Sequence, residues 1–174
     1  MDTLQKIEHS RFLINRFDHY NDSINNKGAF YLSINTFILG GICIGYSSYC
    51  KEIKACGELY PWLIFIATFL LILCLASILC TIVAITPYLK DNHVNDDQPS
   101  LIFFGGISRY QCSMFVDKFL AQTESSMVED CARQNHSLAK GLTTKFKWLT
   151  IASRFLLGEY VFLTIVIFLI FKIL

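Results

Sequence analysis

From Leu59 to Leu89 the chain carries not one Asp, Glu, Lys, Arg or His, and nearly all of the stretch is apolar. The hydrocarbon core of a bilayer is about 30 Å thick, and roughly 20 helical residues cross it because each adds about 1.5 Å of rise. A core helix of a soluble domain is rarely this long or this pure. The segment therefore predicts a membrane span, longer than a perpendicular crossing requires, so tilt or an extension past the lipid is expected. Pro61 near its start and Pro87 near its end mark plausible limits, since proline fits a first helical turn and disfavours helix in the residue before it.

The rest of the chain agrees with a small membrane domain. Over 174 residues, 53% are hydrophobic and 17% charged, a skew away from the average soluble domain. A second charge-free run, Gly28 to Cys50, is also long enough to span. Its glycines Gly40, Gly41 and Gly45 suit close helix contact in lipid. The third candidate is Phe155 to Leu174, with Glu159 near its start and Lys172 near its end, both within snorkelling reach of an interface. The stretch from Met1 to Lys27 is rich in charge and has no apolar signal core, so no cleaved leader is expected.

Orientation follows from counting Lys and Arg outside the spans. There are four from Met1 to Lys27 (Lys6, Arg11, Arg16, Lys27), two in the first loop (Lys51, Lys54) and eight from Lys90 to Arg154. The N-terminus and the long connection are expected in the cytoplasm, the 51–58 loop and the C-terminus outside. Aromatic residues mark the edges: Tyr46, Tyr49, Tyr60 and Trp62 at the outer face, Tyr88 and Trp148 at the inner one. Of seven cysteines, Cys43, Cys74 and Cys80 lie within spans, and Cys112 and Cys131 are cytoplasmic. Cys50 and Cys56 flank the outer loop, where a disulfide is permitted but not required. The sequence contains neither a Cys-x-x-Cys motif nor a His-rich cluster, so no metal site is expected.

Two stretches outside the lipid read as amphipathic helix. Residues 3 to 26 carry Leu4, Ile7, Ile14, Phe17 and Ile24 at helical spacing and should run unbroken into the first span. After a polar loop, Lys90 to Ser100, come the apolar Leu101 to Phe104 and the pair Gly105–Gly106. Helix is expected again from Ser108. A further helix carries Met127, Cys131, Leu138, Leu142, Phe146 and Leu149 and continues into the third span. The fold class is thus all-α: a three-span helical bundle with cytoplasmic helical extensions whose apolar stripes cover each other. No internal repeat or low-complexity tract is visible.

Enzyme chemistry finds no support. A P-loop, a nucleophile with a positioned base, and paired ionisable groups within spans are all missing, and His9, His19, His93 and His136 are scattered. Recognition of a phosphorylated ligand is a second possibility, which spacing alone ranks below a chain reversal. If Gly105 and Gly106 precede a helix start near Ser108 and Arg109, exposed amides there would attract an anion. The plainer reading is a chain reversal that tucks Phe103 and Phe104 into the bundle. Lys140, Lys145 and Lys147 read as an inner-leaflet anchor for anionic lipid. Gly28 and Ala29 would admit another helix closely, and Glu159 would line a pore or reach Lys147, Arg154 or water.

Three patches carry a family resemblance: Asn25, Asn26, Lys27, Gly28 and Ala29; Pro99 with Phe103, Phe104, Gly105 and Ile107; and Leu138 with Lys145, Phe146 and Leu149. Together they resemble the transmembrane effectors of the bacterial Pycsar antiphage system, with its Asp-x-Lys-Ala stretch and its Pro and Phe-Gly-x-Ile segment. This chain has asparagine where the family's acid is expected, and Gly28 displaces the alanine. A backbone-approach role for the motif is untouched by that change. The resemblance implies an inner-membrane effector switched on by cyclic UMP or cyclic CMP from a partner pyrimidine cyclase, acting to impair the membrane during phage infection, with no cofactor and no nucleic acid polymer as partner.

A cyclic mononucleotide offers one negative charge and an aromatic base, which a site meets with a cation, some amides and an aromatic face. Arg16, Lys27, Arg109 and Lys145 are the candidate cations, with Phe104 and Gly105 beside them and Tyr110 as a further stacking residue. A homo-oligomer is expected. The competing reading is a constitutive holin-like or structural membrane protein without a small ligand.

Overall fold

The computed structural model describes residues 1–55, 60–87 and 99–173. Five helices follow one another: α1 (Thr3–Ala55), α2 (Tyr60–Ile85), α3 (Phe104–Ile107), α4 (Cys112–Leu120) and α5 (Glu124–Ile173). Among the described residues there is no strand. α1 opens with a reciprocal cap, Asp2 Oδ1 accepting from the Gln5 amide at 3.0 Å while Gln5 Oε1 accepts from the Asp2 amide at 3.1 Å. Two otherwise unpaired donors are satisfied at once. Thr123 and Ser126 repeat the device ahead of α5, each accepting the other's amide at 3.0–3.2 Å. α2 stops two residues short of Pro87, where the proline ring crowds helical geometry in the residue before it.

The long helices share a periodicity that apolar counting hides. On α1 every residue at 3, 7, 10, 14, 17, 21, 24, 28, 31, 35, 38, 42 and 45 is buried or half-buried. Among the described residues the buried positions on α2 are 70, 74, 77, 81 and 84; on α5 they include 131, 135, 145, 149, 152, 156 and 159. These are steps of three and four that sum to seven, the 3.5-residue period of left-handed coiled coils and most membrane bundles. Polar residues occupy many seam positions: Ser10 and Asn35 on α1, Ser77 and Thr81 on α2, Asn135, Lys145 and Glu159 on α5.

The chain divides into two compact units, Met1–Ser23 with Pro87–Thr144, and Ile24–Thr86 with Lys145–Leu174. α1 and α5 contribute to both. The second unit holds the apolar stretches of α1, α2 and α5, the three helices long and apolar enough to cross a membrane. Its core is Ile38, Leu70 and Cys74, flanked by Ile34, Leu39, Ile42, Phe162 and Leu163. The Phe69 and Phe162 rings meet at 4.8 Å. Large apolar side chains such as Phe37, Phe65, Leu79 and Phe168 face outward while Asn35, Ser77, Thr81 and Glu159 are buried. That inversion suits lipid, which is as apolar as leucine and leaves polar groups to find partners between helices.

Several expectations change in detail. α1 stays helical to Ala55, through the first part of the stretch read as an outer loop. The Cys50–Cys56 pairing and the side chains of Tyr46, Tyr49, Tyr60 and Tyr88 lie outside the described residues. A Cβ at Gly40, Gly41 or Gly45 would meet no described atom of the chain within 4 Å, so these glycines do not receive a described part of α2 or α5. Gly28 does: it is buried, and a Cβ there would collide with Ile85 Cγ2 and touch Thr81 Cγ2 at 3.5 Å. Lys145 is not a lipid-facing anchor but buried, 8% exposed, because the 131–145–152 row places it on the seam. Glu159 does not snorkel either; it is fully buried, one seven-residue step beyond Ala152.

Candidate functional site

The first unit contains the turn from Pro99 to Gln111, which is built around two residues. Ser100, 4% exposed, accepts on its Oγ the amides of Ile102 and Phe103, each at 3.1 Å. A hydroxyl that captures amides two and three residues ahead reverses the chain and starts α3. Gly106 fills the inside of the reversal: a Cβ there would sit 2.6 Å from Ser100 O and 2.9 Å from its N, both backbone atoms with no room to yield. Glycine is required by this close approach.

Two side chains tie the turn to its surroundings. Asp130 Oδ2 on α5 accepts from the Leu101 amide at 2.8 Å. The Tyr110 hydroxyl donates to Pro99 O at 2.5 Å. Burial, and then the negative charge of Asp130, hold the Tyr110 phenol above its ordinary value, so it remains a donor. Lys118 of α4 lies 5.9 Å from the Tyr110 ring centroid, and Tyr110, Phe115 and Phe119 form a row of rings at 6.4 and 5.8 Å. Elsewhere in the same unit, Asn135 Nδ2 of α5 donates to Ser10 Oγ of α1 at 2.6 Å, both residues buried.

The turn spends its amides on its own closure. α3 begins at Phe104 and contains both glycines, instead of following them. The amides of Gly106 and Ile107 donate to Phe103 O, that of Ser108 to Phe104 O, and those of Arg109 and Tyr110 to Gly106 O and Ile107 O. With Ile102 and Phe103 held by Ser100 and Leu101 by Asp130, most of the segment's N–H groups are engaged, chiefly in the reversal itself. Phe103 is half-buried, while Phe104 is 66% exposed with its ring 4.7 Å from that of Phe103.

Of the six residues singled out from sequence, Phe104, Gly105 and Arg109 share this turn, and Arg16 stands on α1 in the same unit. Arg109 is exposed. Arg16 is exposed too, its Nε donating to the Tyr20 hydroxyl at 2.9 Å and its guanidinium 5.6 Å from the Tyr20 ring centroid. Gly105 lies under Phe103, whose Cε1 would stand 2.5 Å from an added Cβ. Lys27, exposed, and Lys145, buried, belong to the second unit. Ser100 and Asp130 escaped the sequence reading, while Gly106 entered it with Gly105 as a chain reversal; the Ser-x-x-Phe-Phe-Gly-Gly order hinted at Ser100, and nothing local linked Asp130 to Leu101. An exposed aromatic face and an exposed guanidinium on one rigid turn can stack a base and hold an anion. Among the described residues no group of three His, Cys, Asp or Glu side chains can hold a metal ion.

An all-α chain with three helices able to cross a bilayer and a second compact unit built around a turn falls in the class of multi-span membrane proteins. The chain belongs to the Pycsar effector family: the family model of the Pycsar effector protein domain matches residues 9–172. It is a membrane effector of an antiphage system. No curated protein and no solved structure matches the chain.

Proposed function

We propose that this effector is activated by a cyclic pyrimidine mononucleotide, cyclic UMP or cyclic CMP, and that activation impairs the inner membrane and aborts infection. The family match over residues 9–172 carries the reading. It is supported by the continuity of α1 and α5, 53 and 50 residues long, which join the unit outside the lipid to the spans without a break. A ligand that prefers one arrangement of the first unit shifts the spans with it, since both are parts of the same helices.

In this reading the N-terminus and the 90–154 connection are cytoplasmic and the C-terminus is external, as the Lys and Arg counts require. Arg109 and Arg16 hold the cyclic phosphate, Phe104 stacks on the base, and Gly105 leaves the ring of Phe103 free to lie beneath it. Assembly of several copies turns a local rearrangement into a membrane lesion. A partner pyrimidine cyclase supplies the nucleotide.

Calorimetric titration of the folded, detergent-solubilised chain with each pyrimidine cyclic nucleotide tests this. Saturable heat with one of them, weakened about tenfold or more by Arg109→Ala, is expected, because a charge-assisted hydrogen bond contributes about 1.5–3 kcal/mol. Absence of heat with every nucleotide, together with vesicle leakage that needs none, would establish the constitutive holin-like reading instead.

A further inference from the structure

Hydrogen-bond donors run out around Glu159. The residue is 0% exposed, and neither Oε1 nor Oε2 has a hydrogen-bond partner. Cys74 and Ser77 of α2 are its neighbours. The Ser77 hydroxyl donates to Ala152 O of α5 at 3.5 Å and accepts from Asn35 Nδ2 of α1 at 3.1 Å. The same Asn35 nitrogen donates to Tyr31 O at 2.9 Å, and the Thr81 hydroxyl donates to Ser77 O at 2.7 Å. A hydroxyl has one proton and an amide nitrogen two, so Asn35 and Thr81 have none to spare, and the single Ser77 proton can turn to Glu159 only by leaving Ala152 O, its partner at 3.5 Å. What remains is the Cys74 thiol, a weak donor. Asn35 Oδ1 is a further buried acceptor without a partner.

An ionised carboxylate in that position would have only the weak Cys74 thiol and the one contested Ser77 proton as donors and, among the described residues, no counter-charge, inside an apolar bundle. Such an arrangement is heavily penalised. One proton repairs it: a carboxylic acid carries no charge and gains an O–H, and Ser77 Oγ has a second lone pair that Asn35 leaves open. We propose that Glu159 is a proton-binding site inside the membrane bundle, and that its bound proton supplies the donor joining α5 to Ser77 of α2 and, through Ser77, to Asn35 of α1. Loss of the proton to water leaves a negative charge among acceptors, and the three helices must then loosen or admit water. The titratable group facing Glu159 from α2 is Cys74; α1 presents the uncharged Asn35, and Arg154, on the same helix as Glu159, is exposed. The inference stands independently of which nucleotide, if any, the first unit binds.

Infrared spectroscopy of the full chain in lipid nanodiscs, with its glutamates carrying ¹³C carboxyls, reads the proton directly. A protonated-carboxyl band at pH 7 that moves with the label and vanishes in Glu159→Gln is the expected result. No such band from folded protein, a band that survives the substitution, or one abolished by exchanging choline for sodium at fixed pH would overturn the proposal, the last by showing a metal cation as the occupant. Cys74, itself fully buried, reports the loosening. Its maleimide labelling, located by mass spectrometry, should rise in the wild type as the band disappears with increasing pH and stay low in Glu159→Gln at the same pH. Equal labelling in the two proteins at every pH would overturn the donor role. If Glu159→Gln does not fold, the wild-type titration still decides: Cys74 exposure that does not track loss of the band sinks the proposal.

Discussion

In the unit formed by residues 1–23 and 87–144, the helix seam carries Ser10 and Asn135, and the amide of one donates to the hydroxyl of the other. In the unit formed by residues 24–86 and 145–174, the seam carries Asn35, Ser77, Thr81 and Glu159, and the donations from Asn35, Ser77 and Thr81 end on a hydroxyl or a backbone carbonyl. Among the described residues the first unit leaves one buried neutral oxygen, Asn135 Oδ1, without a donor; the second leaves two, Asn25 Oδ1 and Asn35 Oδ1, and the Glu159 carboxyl group besides. Outside the apolar stretches water is at hand for whatever a seam omits. Between apolar spans it is not, so an orphaned acid there is a stronger statement than an orphaned amide.

The contrast can be broken first where backbone meets side chain. Gly28→Leu should be the largest single effect, because the new side chain must displace Ile85, and overpacking of this kind costs about 1–3 kcal/mol. The thermal transition in detergent should fall, and Ile85→Ala in the same chain should restore much of it. Next comes the polar pair of the first unit. Ser10→Ala and Asn135→Leu should each destabilise it by about 1–2 kcal/mol, the double variant by less than their sum, since a lone buried partner suffers more than a pair removed together. Protection of α1 amides before Ser23, followed by hydrogen exchange, measures this.

Ser77→Ala in the second unit should cost about 0.6 kcal/mol, the typical value for interhelical hydrogen bonds in membranes, and so less than the Ser10 variant. The reverse order, seen in the same thermal assay, would show that the lipid-embedded seam is the more tightly bonded. The smallest effect concerns Tyr110. Its phenol is raised above the unfolded value of about 10, so its stabilising contribution is complete below that pH and declines as the pH climbs from there towards the folded value. Melting temperatures across the alkaline range should fall more steeply for the wild type than for Tyr110→Phe.

The helical architecture was legible because charge-free runs and proline stops are local signals. Leu59 to Leu89 announced α2, and the unbroken helical pattern of residues 3 to 26 foretold a single α1. The seam was only half legible. Ile7, Ile14, Phe17 and Ile24 lie on it, but exposed Leu4 does not, and Ser10, Gly28 and Asn35 break the apolar pattern while keeping its phase. On α5 the apolar reading caught Cys131, Leu138, Leu142 and Leu149 yet sent Lys145 to the lipid headgroups, because a lysine near a span ordinarily goes there. Arg109 and Phe104 drew notice by residue type alone, a cation and a ring that a sequence displays. Ser100 and Asp130 did not, since their roles depend on a backbone approach and a contact 29 positions away.

The seven-residue phase of α1 has a consequence for how this helix can change length. Ser10, Ile24 and Ile38 are buried at intervals of two such periods. Adding or deleting a single residue between Gly28 and Asn35 would turn the two parts of the helix against each other by about 100°, so that Gly28 could keep Ile85 only if Asn35 left Ser77. Seven residues added at the same place would nearly preserve the phase. Length variation among chains that keep this helix should therefore come in multiples of seven, with other insertions confined to the connections.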